Sequence, residues 1–160
     1  MIYKAYYESP IGLIEIKAEN EAIVSLDFIE KKEDDENICE VLKKCIIELD
    51  EYFKGKRKNF TVDINLKGTD FQLKAWKELL KIPFGETITY KEQARRIGNE
   101  KAVRAVGLAN SKNKIAIIVP CHRVVGSDKS LTGYAGGLWR KKWLIDHEKR
   151  FFENNTNRGD

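Results

Sequence analysis

The sequence predicts an α+β protein: a small N-terminal domain of antiparallel sheet plus helix, then a mostly helical C-terminal domain with a winged-helix-like helix-turn-helix. Three observations point there. The first 30 residues alternate short β-branched and aromatic runs with turn signals. One strongly amphipathic helix pattern follows them. Beyond Gly68 the apolar residues recur mainly at helical spacing.

In chain order, residues 2–7 read as a first strand and Pro10-Ile11-Gly12 as the turn after it. Leu13, Ile14 and Ile16, then Ile23, Val24, Leu26 and Phe28, give two more strands. The charged stretch 30–37 is a connection. Ile38, Val41, Leu42, Cys45, Ile46, Leu49, Tyr52 and Phe53 share one helical face, and Gly55 ends that helix. After a basic loop, residues 60–66 suit one further strand. The boundary falls near Lys67-Gly68, which divides the chain into a structural domain (1–67), a second domain (68–152) and a frayed tail (153–160).

In the second domain, Thr69 and Asp70 are N-cap candidates for a helix carrying Phe71, Ala75, Trp76, Leu79 and Leu80; Pro83 and Gly85 stop it. Thr89 caps a helix to about Arg96, and Glu92 three residues on completes a capping box. Gly98-Asn99 turns the chain into another helix over 100–111. Two short helices about a tight Gly turn make a helix-turn-helix. The apolar run 115–119, read as a buried strand, ends at Pro120. A Gly-rich loop leads to Gly137, and a last helix starts near Leu138 with Trp139, Trp143, Leu144 and Phe151.

Composition narrows the function. The 160 residues are 42% apolar and 34% charged, which fits a globular protein and not a disordered one. No apolar run approaches the ~18 residues of a membrane span. No signal-peptide core opens the chain, and three cysteines without framework spacing imply free thiols in the cytoplasm. Charge is unevenly divided. Residues 1–68 carry 11 Lys and Arg against 15 Asp and Glu, a balance of −4; residues 69–160 carry 18 against 10, a balance of +8. A basic half points to nucleic acid or an anionic membrane, or else to a solvated basic surface.

Among the cysteines, Cys39 and Cys45 belong to the apolar helix and read as structural. Cys121 follows an apolar run and a Pro, beside His122 and Arg123. It is either a nucleophile or a core thiol at a turn. An ordinary thiol is only a few per cent thiolate at neutral pH, so a nucleophile here needs a base. Adjacent side chains on an extended chain diverge, so Cys121 and His122 cooperate only through a helical turn or a bridging water. Glu148 shares the face of Leu144 and Phe151, and either orients His122 or fans out to solvent. His147 reads as structural. No metal-ligand spacing and no phosphate loop occur, so neither metal nor cofactor is expected.

The helix-turn-helix is basic: residues 86–114 hold seven Lys and Arg against three Glu. Its second helix offers Ala102, Ala105, Gly107 and Ala109. Small residues serve helix packing, or close approach to a minor groove with little base reading.

The motif IVPCHRVV (118–125) resembles the active-site signature of the O6-alkylguanine-DNA alkyltransferases, and GTDFQLKAWKELLKIPFGETITY (68–90), RAVGLANSKN (104–113) and GYAGGLWRKKWLIDHE (133–148) resemble that family's other blocks, in order. The resemblance is specific over 68–150 and loose over 1–67. It implies transfer of an alkyl group from O6-alkylguanine, flipped out of double-stranded DNA bound through the minor groove, to Cys121. In this scheme His122, through a water, and Glu148 activate Cys121, Asn113 stabilises its turn, and Tyr134 donates to the departing base. Tyr90 crowds the target phosphate, Arg104 fills the vacated stack, and Ala105 and Gly107 meet the DNA. Val124 and Ala135 line the base pocket by their backbones, with Gly136, Lys141 and Arg123 beside them. The family commonly follows the Asn with Pro, where this chain has Lys114, and some members carry Pro at the place of Ala116. Transfer leaves a thioether, so one turnover per molecule is implied. No large unexplained apolar stripe remains in the sequence, so a monomer with no obligate protein partner is expected. Two alternatives use the same residues: a lesion sensor that leaves the thiol unmodified, and a Cys-His-Glu hydrolase.

Overall fold

The structure is a computed structural model that describes residues 1–158, without the side chains of 153–158. It divides into two compact units.

The first unit holds residues 1–67 and 114–116. Three antiparallel strands, β1 (Tyr3–Ser9), β2 (Gly12–Glu19) and β3 (Ala22–Ile29), form a meander in the order β1-β2-β3. Alternation sends Ile14, Ile16 and Ala18 of β2 into the core, and Ile23 and Leu26 of β3, three residues apart, join them there across a break in the alternation; all five are fully buried. A bulge between Lys17 and Ala18 gives β3 one extra residue there. Helix α1 (Glu40–Phe53) packs against the sheet with Leu42, Cys45, Leu49 and Tyr52 buried. It starts two residues later than its apolar pattern, with Cys39 as N-cap.

Residues 60–66 form no regular strand. They touch β3 through one bridge, Ile23 to Ile64, held by the Ile23 N–H to the Asp63 carbonyl and the Asn65 N–H to the Ile23 carbonyl. The buried Glu48 draws the segment elsewhere, accepting from the backbone N–H of Thr61 (2.8 Å) and Val62. Residues 115–119 likewise make a single bridge, Leu26 to Ile115, and then turn, with Ile117 at φ +70°. A positive φ at a β-branched residue is strained and stops strand pairing there. Lys114 reaches the Lys67 carbonyl at 2.8 Å.

The second unit holds residues 68–113 and 117–160. Helix α2 (Asp70–Leu79) opens with a complete capping box between Thr69 and Gln72. A two-residue strand, β4 (Ile88–Thr89), leads into α3 (Tyr90–Arg96). Thr89 caps α3 by accepting from the Glu92 N–H at 3.0 Å. The Glu92 carboxylate, expected to close a box, instead takes Arg95 and Arg96. Helix α4 (Val103–Ser111) begins three residues later than expected, because Asn99 holds residues 99–102 in a turn after Gly98 at φ +87°. Ala94, Ile97 and Val106 form the apolar contact of the pair.

A polar contact crosses that core. Gln93 and Asn110, both buried, exchange two hydrogen bonds of 3.0 and 2.7 Å, and Gln93 also donates to the Ala75 carbonyl. Trp76 Nε1 donates to the Ala109 carbonyl at 2.8 Å. These bonds fix α2, α3 and α4 together.

A 3-10 turn, Cys121–Arg123, precedes β5 (Val124–Val125), which pairs in parallel with β4. Helix α5 (Leu138–Arg158) closes the chain. Of the expected tail, 153–160, the backbone continues α5 as far as Arg158, and the side chains of 153–158 and all of 159–160 lie outside the described residues. Among the described residues, no helix is long and apolar enough to cross a membrane.

Candidate active site

Pro120 bends the chain into the 3-10 turn, which the Arg123 N–H closes onto the Pro120 carbonyl at 3.0 Å. The backbone from Cys121 to Arg123 is therefore a helical turn and not extended. Cys121 is buried, at 7% exposure. Asn113 Nδ2 holds the turn from outside, donating to the Val119 carbonyl at 2.7 Å and lying 3.3 Å from Cys121 Sγ.

His122 is fully buried, and its Nε2 lies 2.6 Å from Glu148 Oε2. Glu148 turns inward from α5 and does not fan out to solvent. Its carboxylate accepts four hydrogen bonds: from His122 Nε2, from Arg123 Nε (2.7 Å) and Nη2 (3.1 Å), and from the Gly85 N–H (3.2 Å). The ionised form is thereby favoured despite burial, and its pKa lies well below the usual carboxylate range. With an ionised acceptor at Nε2, that nitrogen carries the proton, and Nδ1 is left with a lone pair. Nδ1 is buried without a protein partner. Burial holds the His122 pKa down, against the pull of Glu148, so the ring is a neutral base at pH 7.

Burial also pushes the Cys121 thiol up; the Asn113 hydrogen bond and the charge of Lys141 pull it down. Tyr134 is buried with its hydroxyl unpartnered. Burial, and then the neighbouring sulphur, raise its pKa well above 10, so it stays a proton donor. The site thus holds a thiol, a neutral imidazole with a free lone pair on Nδ1 and a protonated phenol.

The other expected residues fall into two sets. Arg104 and Ala105 are exposed on α4, and Gly107 is half-buried beside them. A Cβ at Gly107 would meet only the Tyr90 ring, at 3.9 Å, so internal packing does not demand glycine there. Ala109, by contrast, is buried and Ala102 packs on the helix pair, so those two small residues serve the fold. Tyr90 is half-buried at the start of α3, and its hydroxyl donates to the Thr132 carbonyl at 2.9 Å. Ala135 is exposed and Gly136 half-buried on the loop before α5.

Val124 and two of the charged residues are interior. Arg123, expected beside the substrate, is buried: Glu148 and the Ile82 carbonyl (2.6 Å) occupy its guanidinium, which leaves it a support for the carboxylate. Lys141 is 1% exposed and donates to Tyr90 Oη (3.0 Å) and the Thr132 carbonyl (2.8 Å). Neither burial is visible in spacing; the run of apolar residues on the face of α5 that holds Lys141, Leu144 and Glu148 was the available signal. His147 stacks on Trp143 and meets Phe151 edge-on, each at a ring separation of 4.8 Å, and Cys45 lies in the core with its pKa pushed up to about 12. Among the described residues, no three His, Cys, Asp or Glu are placed to hold a metal.

Two family profiles together cover most of the chain. The profile "6-O-methylguanine DNA methyltransferase, DNA binding domain" matches residues 70–150, and "6-O-methylguanine DNA methyltransferase, ribonuclease-like domain" matches residues 2–66. A methylated-DNA–protein-cysteine methyltransferase of Methanosarcina barkeri is 45% identical over 154 residues, covering 92% of this chain and 98% of that one. The crystal structure of Mycobacterium tuberculosis O6-methylguanine methyltransferase superposes with a TM-score of 0.85 at 41% identity, over 94% of each chain. The M. tuberculosis OGT in complex with DNA gives 0.84 at 42% identity, over 91% of this chain and 92% of that one.

Proposed function

The chain belongs to the 6-O-methylguanine DNA methyltransferase family and repairs O6-methylguanine in DNA by methyl transfer to one of its own cysteines; from that premise we propose that Cys121 is the acceptor, with His122 as base, Glu148 as its anchor and Tyr134 as acid. The observation that carries the proposal is the free, buried lone pair of His122 Nδ1, set by the Glu148 contact on the opposite nitrogen. The Cys121 proton passes to Nδ1 through a water. Sulphur forms a bond to the methyl carbon as the carbon–O6 bond breaks. The electron pair leaves with guanine, which takes a proton from Tyr134, and the imidazolium proton restores the phenol. Guanine and S-methylcysteine are the products, and the thioether ends the protein's activity after one turnover. O4-alkylthymine carries the same kind of alkyl–oxygen bond, which makes it a candidate for the same displacement.

A base inside a duplex is out of reach, so the lesion is flipped at a cost of a few kcal/mol. Arg104, exposed at the start of α4, offsets that cost by filling the vacated stack. Ala105 and Gly107 bring α4 close to the minor groove, and Tyr90 presses on the target phosphate. Asn113 holds the reactive turn, and the backbones of Val124, Ala135 and Gly136 line the base. All of these belong to the second unit; the first serves a structural role. Three free cysteines suit a reducing compartment, and we place the protein in the cytoplasm. Cys121→Ala tests the assignment: it binds alkylated duplex and transfers nothing. Full repair by that variant overturns it.

A further inference from the structure

Lys141 is among the most deeply buried side chains of the protein, at 1% exposure, and no carboxylate lies within ion-pair distance of it among the described residues. Its ammonium meets only neutral groups, the Tyr90 hydroxyl and ring and the Thr132 carbonyl. The other buried cation of the site, Arg123, is matched by Glu148. A buried charge without a counter-charge is costly, and is retained where a charge of opposite sign develops beside it. Two groups of the site gain charge when the thiol proton moves to His122 Nδ1: the imidazole becomes positive and the sulphur negative. Glu148 already faces the imidazole. The positive charge of Lys141 favours the thiolate and, on the imidazole, opposes protonation, so of the two new charges it can match only that of the sulphur.

We infer that Lys141 is the counter-charge of the Cys121 thiolate, as Glu148 is of the His122 imidazolium. Lys141 touches neither sulphur nor base in this scheme; it is a positioning residue whose charge offsets the burial that holds Cys121 protonated. Asn113 lies against the sulphur, His122 and Arg123 follow it on its own turn, Tyr134 and Lys141 interact with it electrostatically, and Glu148 faces His122 and Arg123. Among these cations, only Lys141 lacks an anionic partner.

The inference rests on Cys121 as acceptor, and its test separates the two. Thiolate absorbance of the DNA-free protein is titrated with pH against a Cys121→Ala blank, for wild type, Lys141→Gln, Lys141→Met and Lys141→Arg. Methyl transfer to a duplex is timed in parallel. Lys141→Gln keeps donors for Tyr90 and Thr132 without the charge, so it distinguishes a strut from a counter-charge. The expected result is a Cys121 titration about one unit higher in both neutral variants, hence about tenfold less thiolate and about tenfold slower transfer at neutral pH, with Lys141→Arg close to wild type. An unchanged titration in Lys141→Gln overturns the inference, whatever happens to transfer. Should Lys141→Met fail to fold, Lys141→Gln decides alone. A wild-type protein that titrates but transfers nothing would contradict the acceptor assignment instead.

Discussion

Glu148 closes on His122 Nε2 at 2.6 Å with one oxygen and on Arg123 Nε at 2.7 Å with the other. One carboxylate thereby fixes the tautomer of His122 and the position of the turn that carries Cys121. Glu148→Gln should remove both effects and leave the Arg123 charge unmatched in the interior. Breaking a buried pair in this way costs about 3–5 kcal/mol. Chemical denaturation should show that loss, together with a higher Cys121 titration. A variant as stable as wild type, with unchanged thiol titration, would remove Glu148 from the relay.

Acid should weaken the fold in two stages. The folded pKa of His122 is depressed, so its contribution is fully present above the unfolded value of about 6.5 and declines as pH falls below it. Glu148 is depressed too, so its contribution is intact above about pH 4.3 and is lost further into acid. Urea midpoints from pH 7 downward should fall from about 6.5, and His122→Gln should flatten the upper stage. A midpoint that rises on acidification would contradict the assignment of a neutral buried ring.

Tyr134→Phe should separate activity from stability. Deleting a buried, unpartnered hydroxyl relieves an unsatisfied polar group, so stability should hold or rise. Losing one donor to a developing charge typically costs about 10²–10³ in rate. Thermal melts and single-turnover transfer read the two effects. A destabilised but fully active variant would show the hydroxyl to be structural.

Much of this was legible in the chain. The sheet and the first helix followed from β-branched and aromatic runs between turn signals and from an eight-residue apolar face, and the Cys121, His122 and Glu148 set followed from the signature and a carboxylate on an apolar stripe. What remained hidden depends on three-dimensional partners. Residues 60–66 have strand composition, but the buried Glu48 carboxylate captures their N–H groups. Thr89 and Glu92 have the spacing of a capping box, but two arginines compete for the carboxylate. Arg123 and Lys141 look like surface cations until the fold places an acid beside one and a tyrosine beside the other.

The buried Gln93–Asn110 pair sets the packing of α3 on α4 and should behave as a unit. Gln93→Leu orphans the Asn110 amide and should cost about 1–3 kcal/mol. Adding Asn110→Leu should recover part of it. A double-mutant cycle measures the coupling, and strict additivity would show that the two amides act independently.

Arg104→Ala should slow repair in a duplex far more than repair of the same lesion in a single strand, where no stack is vacated. Equal losses on both substrates would argue against its insertion. Binding to DNA should also weaken steeply with salt, as expected where basic side chains neutralise phosphates.

The most direct test of the central claim is the intact mass of the protein after it is mixed in excess with a duplex holding a single O6-methylguanine, followed by peptide mapping. One added methyl group on Cys121, equal in amount to the lesion consumed, with guanine restored in the DNA, is the predicted result. A methyl group on Cys39 or Cys45, or consumption of more lesion than protein, would contradict it.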